Sequence, residues 1–194
     1  MNYTCTICNA LELPSSERLE NTILARFGHF ALLPTIGPMV DGHAMLASLN
    51  HYDSLASMPH EAVSELFDIL DAFKQKYPFF KDLLVFEHGS FENQRGGSCT
   101  THTHIHLLPN HAQYFNVLDN VLPVVPYSLS QIRSISVPYI FTLIQNGNSR
   151  IYEAYNAHSQ MMRKAICYSK GITDLDWKAN PLPHSIENTL KFWQ

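Results

Sequence analysis

Between Thr101 and Pro109 the chain reads Thr-His-Thr-His-Ile-His-Leu-Leu-Pro, with histidine at every second position among β-branched and apolar residues. A period of two marks a β-strand, in which side chains at i, i+2 and i+4 leave the same face. The spacing therefore predicts a strand that carries His102, His104 and His106 in one row. Neighbours in that row would stand roughly 6.6 Å apart, near enough to act on one phosphate or to share a metal. Imidazoles make poor core filler, because each buried ring needs partners for its polar nitrogens. The chain is thus expected to build a sheet with one chemically active face.

Ahead of the row stands Gly96-Gly97-Ser98-Cys99, a glycine-led turn of the kind whose backbone N–H groups can converge on an anion. A phosphate cradle beside histidines points to chemistry on phosphorus. The run Gly-Gly-Ser-Cys-Thr-Thr-His-Thr-His-Ile-His-Leu-Leu resembles the signature of the histidine triad superfamily of nucleotidyl hydrolases and transferases, and the resemblance extends from about Cys5 to Pro109. It implies that His104, the middle histidine, is the nucleophile, attacking the α-phosphorus of a nucleotide derivative before water releases the nucleotide. Its second ring nitrogen would donate to a backbone carbonyl, which fixes the unprotonated nitrogen for attack. Positioning and charge stabilisation would fall to His106 and to the phosphate-binding turn at Ser98 and Cys99. Ser98 stands where relatives have a glutamine, and Cys99 where they often have a serine. The resemblance also implies a homodimer.

Near the amino terminus lies Cys5-Thr-Ile-Cys8. A redox pair would usually open a helix after a strand, and no strand can precede residue 5. Two cysteines at this spacing are half of a closed zinc site, whose other half must come from histidines. Spacing cannot select these among 11 histidines. Zinc-bearing members of the superfamily pair such cysteines with a histidine after the core strand and with the first triad histidine, which implies Cys5, Cys8, His51 and His102. A site with four protein ligands is structural, since it leaves no open position for substrate.

A length of 194 residues suits one domain with an extension, and 45% hydrophobic residues can fill a core. A net charge of −4 with 13 Lys+Arg gives no footprint for nucleic acid or an anionic membrane. The start lacks the basic-then-apolar pattern of a secretory signal, and no apolar run approaches the ~18 residues of a membrane span, so a cytoplasmic protein is expected.

The stretch 22–31 reads as two strands or one bent strand around Gly28, and Asp41-Gly42 leads into a buried strand from His43 to Leu49. Pro59-His60-Glu61 opens a helix whose face carries Val63, Leu66, Phe67, Leu70, Phe73 and Tyr77 and which ends at Pro78. Residues 82–87 form a strand into His88-Gly89, and the prolines and serines from Pro123 to Ser130 divide a catalytic unit, 1–122, from an extension, 123–194, packed on it. Within the extension, 137–145 and 149–155 flank Asn146-Gly147-Asn148 as a hairpin, a helix spans 159–169 and stops at Gly171, and the tail with Trp177 and Trp193 packs on the domain surface. The resulting class is α+β, with an antiparallel sheet and a helix against it.

One departure bears on the substrate. In many nucleoside-binding members an acidic residue eight positions before the strand-opening histidine holds the ribose hydroxyls, and counting back from His43 gives Thr35, which lacks the charge-assisted acceptor pair. His43 can approach the pocket or serve as a satisfied core residue, and His88 stands where known members have an asparagine. Two other functions fit the same residues: a metalloenzyme with His102, His104 and His106 as ligands, and a nucleotide- or protein-binding module without catalysis.

Overall fold

The computed structural model describes residues 5–12, 18–92, 94–144, 147–171 and 183–194. Among these residues, seven antiparallel strands form one sheet: β1 (Ala25–Arg26), β2 (Phe30–Pro34), β3 (Ala44–Ser48), β4 (Leu84–Gly89), β5 (His104–Leu108), β6 (Tyr139–Ile144) and β7 (Ser149–Glu153), in the order β1-β2-β3-β5-β4-β6-β7. The α+β expectation holds. The triad strand lies near the centre, with Met45 of β3 and Phe86 of β4 both paired to His106. The chain on both sides of residue 122 feeds the same sheet, because β6 pairs β4 from Leu84↔Ile144 to Gly89↔Tyr139.

On one face lies α2 (His60–Lys76), which buries Ala62, Val63, Leu66, Ile69 and Phe73 against Leu32, Leu46, Val85, Ile105 and Leu107. The buried stripe runs through Ile69, so Phe67, Leu70 and Tyr77 sit at its margin. Trp193 follows α4 (Pro183–Phe192) and is buried in this core, with its Nε1 donating to the Gly42 carbonyl at 2.9 Å. The tail end therefore enters the main core and does more than cover the surface, since an indole buried this deeply has found a partner for its N–H. Trp177 lies outside the described residues.

Glu87 also faces this side and is buried, accepting from the Leu55 N–H at 3.0 Å and from the Tyr139 hydroxyl. It thereby caps the short 3-10 turn Leu55–Ser57 on the connection from β3 to α2.

Two smaller clusters share the opposite face. Near β2 and β3, α1 (Thr6–Glu12) packs Ile7, Ala10 and Leu11 on Ala31, Leu33, Met45 and Ala47. Near β4, β6 and β7, α3 (Met161–Ser169) brings Met162 and Ile166 to Leu84, Phe86, Ile140 and Tyr152. Between these clusters, over β3, β5 and β4, the sheet face is left to a pocket. The helix expected from residue 159 starts at Met161, after Gln160 in the left-handed region at φ 60°. The hairpin β6–β7 forms as expected, with Gly147 at φ 85° in its turn.

Candidate active site and metal centre

Regular strand geometry begins at His104 rather than at Thr101, because the Thr103 N–H is drawn to the Tyr52 carbonyl at 2.7 Å. The three histidines still share the face that α1 and α3 flank, but they serve two centres.

His102 turns to the cysteines. Its Nδ1 lies 3.4 Å from Sγ of both Cys5 and Cys8, and the Cys8 Sγ lies 3.3 Å from Nδ1 of His51. The four donor atoms all fall within 4.8 Å of one another, so this cluster is able to bind a metal ion. The residues fit one. A carbonyl can only accept, so the His102 Nε2–H donates to the Ser48 carbonyl at 2.8 Å and the Nδ1 lone pair faces the thiols. Burial lowers the His102 pKa to about 4, which keeps that ring neutral and available as a ligand. The implied set Cys5, Cys8, His51 and His102 is thus brought together, while His104 and His106 take no part in it.

His104 and His106 line the pocket together with His43, Thr35, His88, Ser98, Cys99 and Arg163. The hydrogen bonds assign their tautomers. Nδ1 of His104 donates to the His102 carbonyl at 2.6 Å, and burial lowers its pKa, so Nε2 is the unprotonated nitrogen. The Met39 N–H donates to Nδ1 of His43 at 3.1 Å, and burial lowers that ring to about 3. A neutral His43 therefore carries its proton on Nε2, which donates to Nδ1 of His106 at 3.0 Å. His106, held well below its usual pKa first by burial, keeps its own proton on Nε2. Its ring is stacked on Phe86 with centroids 4.6 Å apart, which fixes the plane. Alternate positions on one strand thus offer an unprotonated nitrogen and a hydrogen-bond donor.

The glycine-led turn has a different cause from the one expected. A Cβ on Gly97 (φ 83°) would stand 2.1 Å from the Ala157 carbonyl oxygen, and one on Gly96 (φ 50°) would stand 2.6 Å from that of Ala154. Close approach of the chain before α3 demands these glycines. Ser98 and Cys99 do line the pocket, yet the Ser98 hydroxyl donates to the Thr100 carbonyl at 2.8 Å and the Cys99 Sγ lies 3.1 Å from the Ser159 Oγ. His88 reaches the pocket wall with Nε2 donating to the Gly96 carbonyl at 2.5 Å.

Sequence reasoning left His43 and His88 undecided and did not find Phe86, Met161, Met162 or Arg163. Phe86 was legible in principle, since it shares strand parity with His88. The α3 residues carry no local signal, because they arrive from about 60 residues downstream of the triad. No helix among the described residues is long and apolar enough to cross a membrane.

No family model and no curated protein matches the sequence. Among solved structures, the chain is similar to histidine triad proteins. One from Clostridium difficile is 21% identical over 56% of this chain and 92% of its own, with a TM-score of 0.45. A yeast Ap4A phosphorylase in complex with AMP is 14% identical over 74% of this chain and 62% of its own, at 0.46. A DUF4931 family protein from Bacillus cereus is 16% identical over 89% of this chain and 100% of its own, at 0.45.

Proposed function

We propose that the chain is a nucleotide hydrolase or nucleotidyl transferase that acts at an α-phosphate through a nucleotidyl intermediate on His104. The observation that carries this reading is the pair of complementary tautomers, His104 with Nε2 unprotonated and His106 with Nε2 protonated, side by side in the pocket. In the first step the P–N bond to His104 Nε2 forms as the bond to the leaving group breaks, and the leaving group takes the electron pair. In the second, water or another acceptor attacks the phosphorus, the P–N bond breaks, and the acceptor's proton passes to solvent. His106 donates a hydrogen bond to a phosphoryl oxygen in both steps, where positioning and electrostatics supply most of the catalysis. Ser98 and Cys99 shape the wall on which that phosphate rests.

Zinc is the metal we assign to Cys5, Cys8, His51 and His102, since two thiolates with two imidazoles suit it. Its contribution is folding energy and a fixed His102, and no step of the reaction runs through it. The same reading takes 1–122 as the catalytic unit and 123–194 as an extension, supported by the Pro- and Ser-rich stretch between them, and takes the protein as cytoplasmic and, from the sequence resemblance, as a homodimer. A metalloenzyme with three triad ligands is disfavoured by the direction of His102, which faces the thiols. Turnover of a panel of nucleotide phosphoanhydrides, phosphoramidates and phosphoesters tests the proposal. Activity on at least one of them is expected, and a protein that binds nucleotides yet turns over none would be a binding module.

A further inference from the structure

Among the described residues lining the pocket, Arg163 is the one lysine or arginine. It stands in the first turn of α3, so the carboxy-terminal segment delivers it to histidines carried by β5. Its Nη1 donates to the Gly37 carbonyl at 2.6 Å, which ties the guanidinium to the loop between β2 and β3. Its charge reaches His43 and His106, helping, after burial, to lower both. His106 accepts at Nδ1 from His43 and is neutral by that hydrogen bond, so it does not offset the negative charge of a departing phosphate. A guanidinium can, because its fork of N–H groups matches phosphate oxygens.

Resting on the proposed function, we infer that Arg163 binds the anionic leaving group of the substrate, so that the pocket favours phosphoanhydrides over substrates with a neutral leaving group. As the P–N bond to His104 forms, the P–O bond to the distal phosphate breaks, and that phosphate leaves with the electron pair while Arg163 donates hydrogen bonds and transfers no proton.

Two substrates with one nucleotidyl group separate this role from a structural one: ADP, which releases phosphate, and adenosine 5′-phosphoramidate, which releases ammonia. Arg163→Gln should lower kcat/KM for ADP at least about tenfold more than for the phosphoramidate, the size expected for losing a charged hydrogen bond. Arg163→Lys should recover part of that difference. Equal losses on both substrates would make Arg163 a tie between α3 and Gly37, and unchanged kinetics would remove it from the pocket chemistry; either result overturns the inference. If the wild type turns over neither compound, the proposed function is decided by the wider nucleotide panel, and calorimetric titration with inorganic pyrophosphate decides Arg163 alone. Wild-type binding weakened about tenfold in Arg163→Gln, and partly restored in Arg163→Lys, supports it. No binding by the wild type, or equal affinity in the variants, overturns it.

Discussion

Nδ1 of His104 lies 2.6 Å from the carbonyl oxygen of His102, so the backbone of a candidate metal ligand sets the tautomer of the candidate nucleophile. The imidazole of His102 faces the thiols while its carbonyl faces His104. The candidate metal centre and the pocket are thereby joined through a single residue.

Removing a ligand of the candidate metal centre should be felt in stability. Cys5→Ser and His51→Ala should each release zinc and lower the melting temperature, because metal binding free energy is folding free energy. Elemental analysis and calorimetry check this, and protein purified without chelators that carries no zinc would remove the site from the account.

Glu87 should give the protein a specific pH dependence. Burial pushes its carboxyl from 4.5 up to about 7, against the lowering effect of hydrogen bonds from Tyr139 and Leu55. The folded state then holds a proton that the unfolded state has lost, so the associated stability is complete below about 4.5 and disappears as pH rises through about 7. Glu87→Gln should thus gain on the wild type between pH 5 and pH 8 by up to about 3 kcal/mol in urea unfolding. Any pH dependence of the metal centre is common to both proteins and cancels. A constant difference across that range would show that Glu87 stays ionised.

The fold was largely legible, and the limits of legibility are physical. Alternation from His102 to His106 and the stripe from Val63 to Phe73 are local periodicities; the stripe forms α2, and the alternation forms β5 from His104 onward, with His102 just ahead of the strand. The metal set needed the resemblance, because Cys5 and His102 are 97 positions apart and meet only through packing of α1 on the sheet. At Gly97 the sequence says only that a tight turn occurs, and the close approach of the Ala157 carbonyl, which leaves no room for a Cβ, is announced by no local pattern. Arg163 was invisible for the same reason.

Sugar selectivity should be modest. Thr35 is buried in the pocket wall, with its hydroxyl 3.4 Å from the His43 carbonyl, and it offers no carboxylate to a ribose. A ribonucleotide substrate and its 2′-deoxy analogue should differ by less than about tenfold in kcat/KM, and Thr35→Asp should widen the preference for ribose. A wild-type ratio near a hundredfold, ~2.7 kcal/mol, would mean that another residue holds the sugar.

The nucleotidyl intermediate itself is open to direct capture. Mixing the wild type with a turned-over nucleotide, quenching in base to spare the P–N bond, and mapping the adduct by mass spectrometry should place one nucleoside monophosphate on His104. His104→Ala should show no adduct and retain less than about a tenth of wild-type kcat, a loss exceeding ~1.4 kcal/mol of transition-state stabilisation. An adduct on any other residue, or turnover by His104→Ala above that level, would contradict the account.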